Sequence, residues 1–139
     1  MNMSAQTLAE FRALWVDDDD VTLELMAALL NRLEVGHVAT VNQAAKAVDL
    51  LIRAAPPYDV AFCDIYMPDM DGMELIQELG KHRYTGALIF VTSAKPEMFD
   101  LLHAFADAYD LNLRAVLNKP VSIDRLREIL HTLAEWSSQ

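Results

Sequence analysis

Apolar residues in this chain fall into five short runs, and each run is followed by a stretch whose apolar positions recur at helical spacing. The runs are Arg12-Ala13-Leu14-Trp15-Val16, His37-Val38-Ala39-Thr40-Val41, Tyr58-Asp59-Val60-Ala61-Phe62-Cys63, Ala87-Leu88-Ile89-Phe90-Val91 and Arg114-Ala115-Val116-Leu117. Each reads as a strand; the third, apolar up to Asp64, suits one buried on both faces of a parallel sheet. The stretches between them read as helices. Leu23, Leu25, Met26, Leu29, Leu30 and Leu33 line the first, which Asp19 or Asp20 can cap and Gly36 closes. A second covers 43–55 and stops at Pro56-Pro57, and a third covers 73–81 after a turn marked by Pro68 and Asp71-Gly72. The fourth starts near Pro96 and presents Met98, Leu101, Leu102, Phe105 and Ala108 up to Tyr109. The last, capped by Ser122, presents Ile123, Leu126, Ile129, Leu130 and Leu133. Residues 1–9 carry no pattern and read as a frayed extension.

Five strand-then-helix units without internal repeats predict an α/β fold, a single-domain doubly wound parallel sheet with right-handed crossovers and helices on both faces. The 139 residues suffice for one domain, taken as 11–137 after an extension at 1–10. A parallel sheet places every strand's carboxyl end at one edge, where such folds bind ligands. That edge collects Asp17 and Asp18, then Asp64, Thr92 and Lys119. Three gathered carboxylates repel one another. A hard cation such as Mg²⁺, which takes oxygen ligands and keeps several waters, relieves that repulsion. Mg²⁺ in turn points to phosphate chemistry: an Asp carboxylate can attack a phosphoryl group, a Lys can neutralise the charge that develops, and Thr92 can donate to a phosphate oxygen.

Composition narrows the setting. Hydrophobic residues make up 53% of the chain, but their runs are short and broken by charge, so no membrane span is expected. No basic segment leads into an apolar core at the amino terminus, so no secretion signal is expected. One cysteine, Cys63, cannot form an internal disulfide, which agrees with a reducing cytoplasm. It lies on the strand face opposite Asp64 and reads as buried packing. A formal charge of −10 argues against direct nucleic-acid binding. His37, His82, His103 and His131 lack metal-ligand spacing, and Trp15 and Trp136 read as packing residues. Met67 and Met70 read as loop packing. Phe99, His103, Ala106 and Tyr109 form a second, partly apolar stripe on the fourth helix.

Val16-Asp17-Asp18, Asp64 with Met67-Pro68 and Met70-Asp71-Gly72, Val91-Thr92-Ser93 and Lys119-Pro120 occur together and in this order. In this the chain resembles the receiver domains of two-component response regulators, over about residues 12–136. The resemblance implies the flavodoxin-like strand order 2-1-3-4-5 and a cytoplasmic switch, not an enzyme beyond its own phosphorylation and dephosphorylation. It implies Asp64 as phosphoacceptor, Asp18 as a direct Mg²⁺ ligand, Asp17 as a ligand through water and the Tyr66 backbone carbonyl as a further ligand. Thr92, followed by Ser93, would be the switch hydroxyl. Lys119 would pair with the phosphate, ahead of a cis bond to Pro120. The donor would be a sensor histidine kinase or a phosphotransfer protein.

Two positions depart from the family pattern. Val116 stands where members often carry a switching aromatic, and the segment 95–113 is longer than in common receivers. An output face at Phe99, His103 and Tyr109 is therefore expected, used by a partner, a homodimer or a downstream domain. With Leu117-Asn118-Lys119-Pro120 and Asp124-Arg125-Leu126, the long fourth helix looks like receivers that precede cyclic-di-GMP phosphodiesterase domains. The absence of a DNA-binding or catalytic segment after Trp136 suggests a stand-alone receiver or a fragment of a longer regulator. Two further readings are a haloacid-dehalogenase-like phosphatase, in which Asp17-Asp18-Asp19-Asp20-Val21 supplies Asp17 as nucleophile, and a pseudo-receiver that only binds partners.

Overall fold

A computed structural model describes residues 7–136, the side chain of Trp136 excepted. Five strands, β1 (Arg12–Val16), β2 (His37–Val41), β3 (Val60–Asp64), β4 (Ala87–Thr92) and β5 (Asn112–Asn118), alternate with α1 (Asp20–Arg32), α2 (Ala44–Arg53), α3 (Gly72–Lys81), α4 (Pro96–Ala108) and α5 (Ile123–Trp136). All neighbouring strands run parallel. Their order is β2-β1-β3-β4-β5.

Strand alternation divides the core. Trp15, Phe62, Ile89 and Leu117 face α1 and α5, while Val16, Cys63 and Phe90 face α2, α3 and α4. Trp15 and Phe62, paired across β1 and β3, stack with ring centroids 4.4 Å apart. Such a pair contributes about 1 kcal/mol beyond its burial. The interior of β1, β3 and β4 is therefore a rigid base for whatever their carboxyl ends carry.

Local signals set the helix ends. Asp19 caps α1, accepting from Val21 N and the Thr22 hydroxyl, while Asp71 and Glu74 form a reciprocal capping box on α3. Ser122 accepts from Arg125 N at the start of α5. Gly36, by contrast, does not close α1; the left-handed residue after that helix is Glu34, with φ of 67°. What requires glycine at 36 is close approach, because a Cβ there would lie 1.8 Å from the carbonyl oxygen of Ala9. Gly36 N donates to Leu8 O. The segment before β1 is thus partly built: Leu8–Glu10 is a 3-10 turn, and Leu8 packs on the core.

Three expectations of packing change. On α1 the buried line is Leu23, Met26, Leu30 and Leu33, and Leu25, about 200° round the helix from Leu23, is 55% exposed. On α4 the buried line is Leu102 and Ala106, flanked by Met98 and Phe105, which turns Leu101 and Ala108 outward. Ala106, expected on a separate second stripe, is fully buried. Finally, β5 begins at Asn112, two residues ahead of the predicted strand, because Asn112 and Leu113 pair with Ala87 and Leu88 of β4; Arg114 is an extra residue opposite the Leu88-Ile89 step. The long segment after β4 is consequently divided between a 13-residue helix and a longer β5.

Candidate functional site

β1 ends at Val16 and β3 on Asp64, so Asp17, Asp18 and Asp64 emerge side by side at the carboxyl edge of the sheet. Asp64 continues the face of Phe62 and so turns away from Cys63. β4 delivers Thr92, which pairs in register with Asn118 at the end of β5, and Lys119 N donates to Thr92 O at 2.9 Å. The Lys119–Pro120 bond is cis, as is Ala55–Pro56.

Lys119 joins the acids. Its Nζ lies 2.7 Å from Asp64 Oδ2 and 2.9 Å from Asp17 Oδ2. The remaining carboxylate oxygens are used by the backbone: Asp17 Oδ1 accepts from Asp19 N and Asp64 Oδ1 from Tyr66 N, both at 2.9 Å. Asp17 is 1% and Asp64 7% exposed. Carboxylates this buried are strongly disfavoured without a counter-charge. Burial also works against the ammonium, but hydrogen bonds and charge from Asp64 and Asp17 outweigh it and raise the Lys119 pKa. The repulsion expected among three acids is thus already offset for two of them.

The third acid, Asp18, is exposed, yet one ligand oxygen from each of Asp17, Asp18 and Asp64 falls within 4.8 Å of the others. An all-oxygen set, buried on one side and open to water through Asp18, fits Mg²⁺, which prefers carboxylates and retains water ligands. Thr92 is fully buried, and its hydroxyl accepts from Ala94 N at 3.0 Å. The O–H therefore remains able to donate. Ser93 is exposed. Tyr66 carries an exposed ring and pairs with Asp71 in an isolated antiparallel bridge that closes the loop after Asp64, where Met67 is buried and Met70 packs on the core.

The remaining candidates lie further out. Val116 faces Phe90 and is half-buried; it lines a shallow cavity of about 300 Å³ with Pro120, Val121 and Arg125. Phe99 and His103 are half-buried on α4. The Tyr109 ring lies against Phe105 and over Gly80 of α3, where a Cβ would come within 2.7 Å of it. Tyr109 therefore serves internal packing in part. Cys63 is buried, and burial, with the nearby Asp64 charge, pushes its thiol up to about 12. His37, His82 and His131 are exposed.

Sequence reasoning missed Asp69 and Asn42. Asp69, in the loop after Asp64, accepts from Ala44 N at 3.1 Å and Ala45 N at 3.0 Å, which cap α2 from 24 and 25 residues away. Those amides, Ala45 first, hold its carboxyl below the usual range against the opposing effect of burial. Asn42 donates to Asp20 Oδ1 at 3.2 Å. α2 begins after Gln43, whose own side chain makes no capping bond.

A family profile described as response regulator receiver domain matches residues 13–131. The two-component response regulator ARR12 of Arabidopsis thaliana is 33% identical over 120 residues, covering 85% of this chain and 19% of its own. The regulator ORR22 of Oryza sativa is 34% identical, covering 85% and 16%. The chain thus spans under a fifth of the length of these curated relatives. A response regulator structure from Colwellia psychrerythraea superposes with a TM-score of 0.75 at 25% identity, covering 92% of this chain and 98% of that one. The signal receiver domain of a LuxO-like repressor from Vibrio parahaemolyticus shares the fold at a TM-score of 0.77 and 19% identity, covering 91% of each chain.

Proposed function

This chain belongs to the response regulator receiver family, and from that membership we propose that Asp64 is the residue that takes the phosphoryl group. The observation that carries the assignment is the bridge from Lys119 Nζ to Asp64 and Asp17, with Asp18 close by. An Asp64 carboxylate oxygen attacks phosphorus in line; the new O–P bond forms as the bond to the donor breaks, and the leaving group takes the electron pair of that bond, a histidine ring then being protonated from water and acetate leaving as the anion. Lys119, already held at the acceptor, neutralises charge on the equatorial oxygens. The Thr92 hydroxyl donates to one of them while still accepting from Ala94 N. Asp17 and Asp18, with Asp64 and the Tyr66 carbonyl, are the residues that would hold Mg²⁺. Bound there, Mg²⁺ supplies charge neutralisation and orientation of the phosphoryl oxygens.

The receiver unit is taken as 11–137, with 1–10 as an extension whose final turn is docked. The donor in this reading is a cytoplasmic sensor histidine kinase or phosphotransfer protein. The recipient of the signal is a partner, a second protomer or a downstream domain, of which a cyclic-di-GMP phosphodiesterase is the kind the sequence suggests. Family membership displaces the phosphatase alternative, in which Asp17 would be the nucleophile. Incubation with acetyl phosphate and Mg²⁺, followed by borohydride trapping and mass spectrometry, tests the assignment. Label on Asp64 that disappears with EDTA is expected; label on Asp17 overturns it.

A further inference from the structure

The loops carrying the acids are tied together at a distance from the acids themselves. Asp20, two residues after Asp18, accepts from Asn42 at the end of β2. Two residues further on, Ala44 N and Ala45 N donate to the two carboxylate oxygens of Asp69, three residues after Tyr66. These bonds run from the first residue of α1, just past the loop after β1, through the start of α2, to the loop after β3. The second loop is closed on itself by the Tyr66·Asp71 bridge and by Gly72 N donating to Ile65 O at 2.8 Å. It is therefore a short, stiff ring, and Asp69 is its hydrogen-bonded attachment to α2 among the described residues.

From this we infer that Asp69 is a positioning residue for the metal site: its carboxylate, clasping the α2 amides, fixes where the Asp64–Tyr66 ring sits relative to Asp17 and Asp18. This rests on the proposed Mg²⁺ and phosphoacceptor roles. Magnesium requires near-ideal octahedral placement of its ligands, and groups that orient a ligand without touching the ion commonly contribute 10–100-fold to metal affinity. Asp69 acts on a whole loop and not on one side chain, so about tenfold is expected.

Helix capping alone is the competing role, and Gln43 separates the two. Gln43 occupies the N-cap position of α2 in extended conformation without a side-chain bond, so Gln43→Asp can supply a local cap without restoring the link to the loop. The test measures Mg²⁺ affinity by calorimetry, melting temperature in EDTA, and acetyl-phosphate labelling at saturating Mg²⁺, for the parent, D69A, D69N and D69A/Q43D. D69A should lose about tenfold in Mg²⁺ affinity while maximal labelling at saturating Mg²⁺ stays within about twofold. D69N, which keeps one acceptor oxygen, should fall between. D69A/Q43D should regain the melting temperature but not the affinity. Parent-like affinity in D69A, or affinity that returns with Q43D, overturns the inference. Should D69A fail to fold, the same comparison is read from D69N and the double variant. A parent that neither binds Mg²⁺ nor takes label at Asp64 would instead overturn the proposed function.

Discussion

Lys119→Met removes one ammonium from two carboxylates at once. Its Nζ lies 2.7 Å from Asp64 and 2.9 Å from Asp17, whose side chains are 9% and 1% exposed. Removing one partner of a buried pair usually costs about 3–5 kcal/mol, because the remaining charge is left uncompensated. The Lys119 side chain is itself 31% exposed, so water screens part of the interaction and the low end, about 3 kcal/mol, is expected. For a domain of this size that corresponds to roughly 10 °C in melting temperature. The loss should depend on metal. In EDTA the variant bears the full cost; in Mg²⁺ the ion supplies the missing positive charge, and stabilisation grows with its affinity for the folded state. The Mg²⁺-induced rise in melting temperature should therefore be larger in K119M than in the parent, and smallest in D18N. Thermal denaturation with and without 10-fold steps of Mg²⁺ reads all three. Equal rises in K119M and parent would refute the premise that ammonium and cation serve the same carboxylates.

Three further outcomes follow. The buried Cys63 thiol, pushed up to about 12, stays protonated in the folded state while the unfolded thiol ionises at about pH 8.5; stability is thus complete below that pH and declines above it. The slope approaches 1.4 kcal/mol per pH unit. Urea titrations between pH 9 and 10 should give a shallower decline for C63A, and identical slopes would rule the thiol out. Gly36→Ala places a Cβ against the Ala9 carbonyl and should cost about 1–3 kcal/mol, with faster proteolysis before Arg12; parent-like melting would show that the turn yields freely. Beryllofluoride, standing in for the phosphoryl group, should alter hydrogen exchange mainly across residues 92–113, whereas changes confined to the Asp64 loop would place the output elsewhere.

The five strands and the gathering of Asp17, Asp18, Asp64, Thr92 and Lys119 were legible because both depend on local signals, whereas the strand order was implied by the family resemblance. Runs such as 58–63 and 87–91, punctuated by Pro56-Pro57 and Asp71-Gly72, need only strand period and turn chemistry to be placed. Parallel connection then collects the strand ends. Helix phase was less legible. Leu25 and Leu101 are as apolar as their buried neighbours, and only the direction of the sheet beneath decides that both face outward. Asp69 could not be read at all, since its partners are backbone amides of Ala44 and Ala45, and backbone amides leave no mark in a side-chain pattern. Gly36 was read for the wrong reason: glycine suits both a helix end and a close approach, and the Ala9 carbonyl is what selects it.

Charge explains why this edge can act as a switch. Asp17, Asp18 and Asp64 with Lys119 leave two net negative charges, which one divalent cation balances. An aspartyl phosphate at Asp64 carries about one more negative charge than the carboxylate it replaces. Lys119, shared between Asp17 and Asp64, answers only part of the added charge, and a neutral donor is needed beside it. Thr92 is fully buried at the end of β4 and has an O–H to give. Its oxygen also holds Ala94 N, at the entrance to α4, whose N-cap residue Lys95 makes no side-chain capping bond. A shift of the hydroxyl toward phosphate therefore draws on the least fastened helix start at this edge. With Val116, not a large ring, paired to Phe90 on the neighbouring strand, the proposed switch is expected to place the displacement in residues 93–95 and the first turn of α4. Only contacts that differ between the two states can bias that equilibrium, and the Thr92 hydroxyl, shared between phosphate and Ala94, is such a contact.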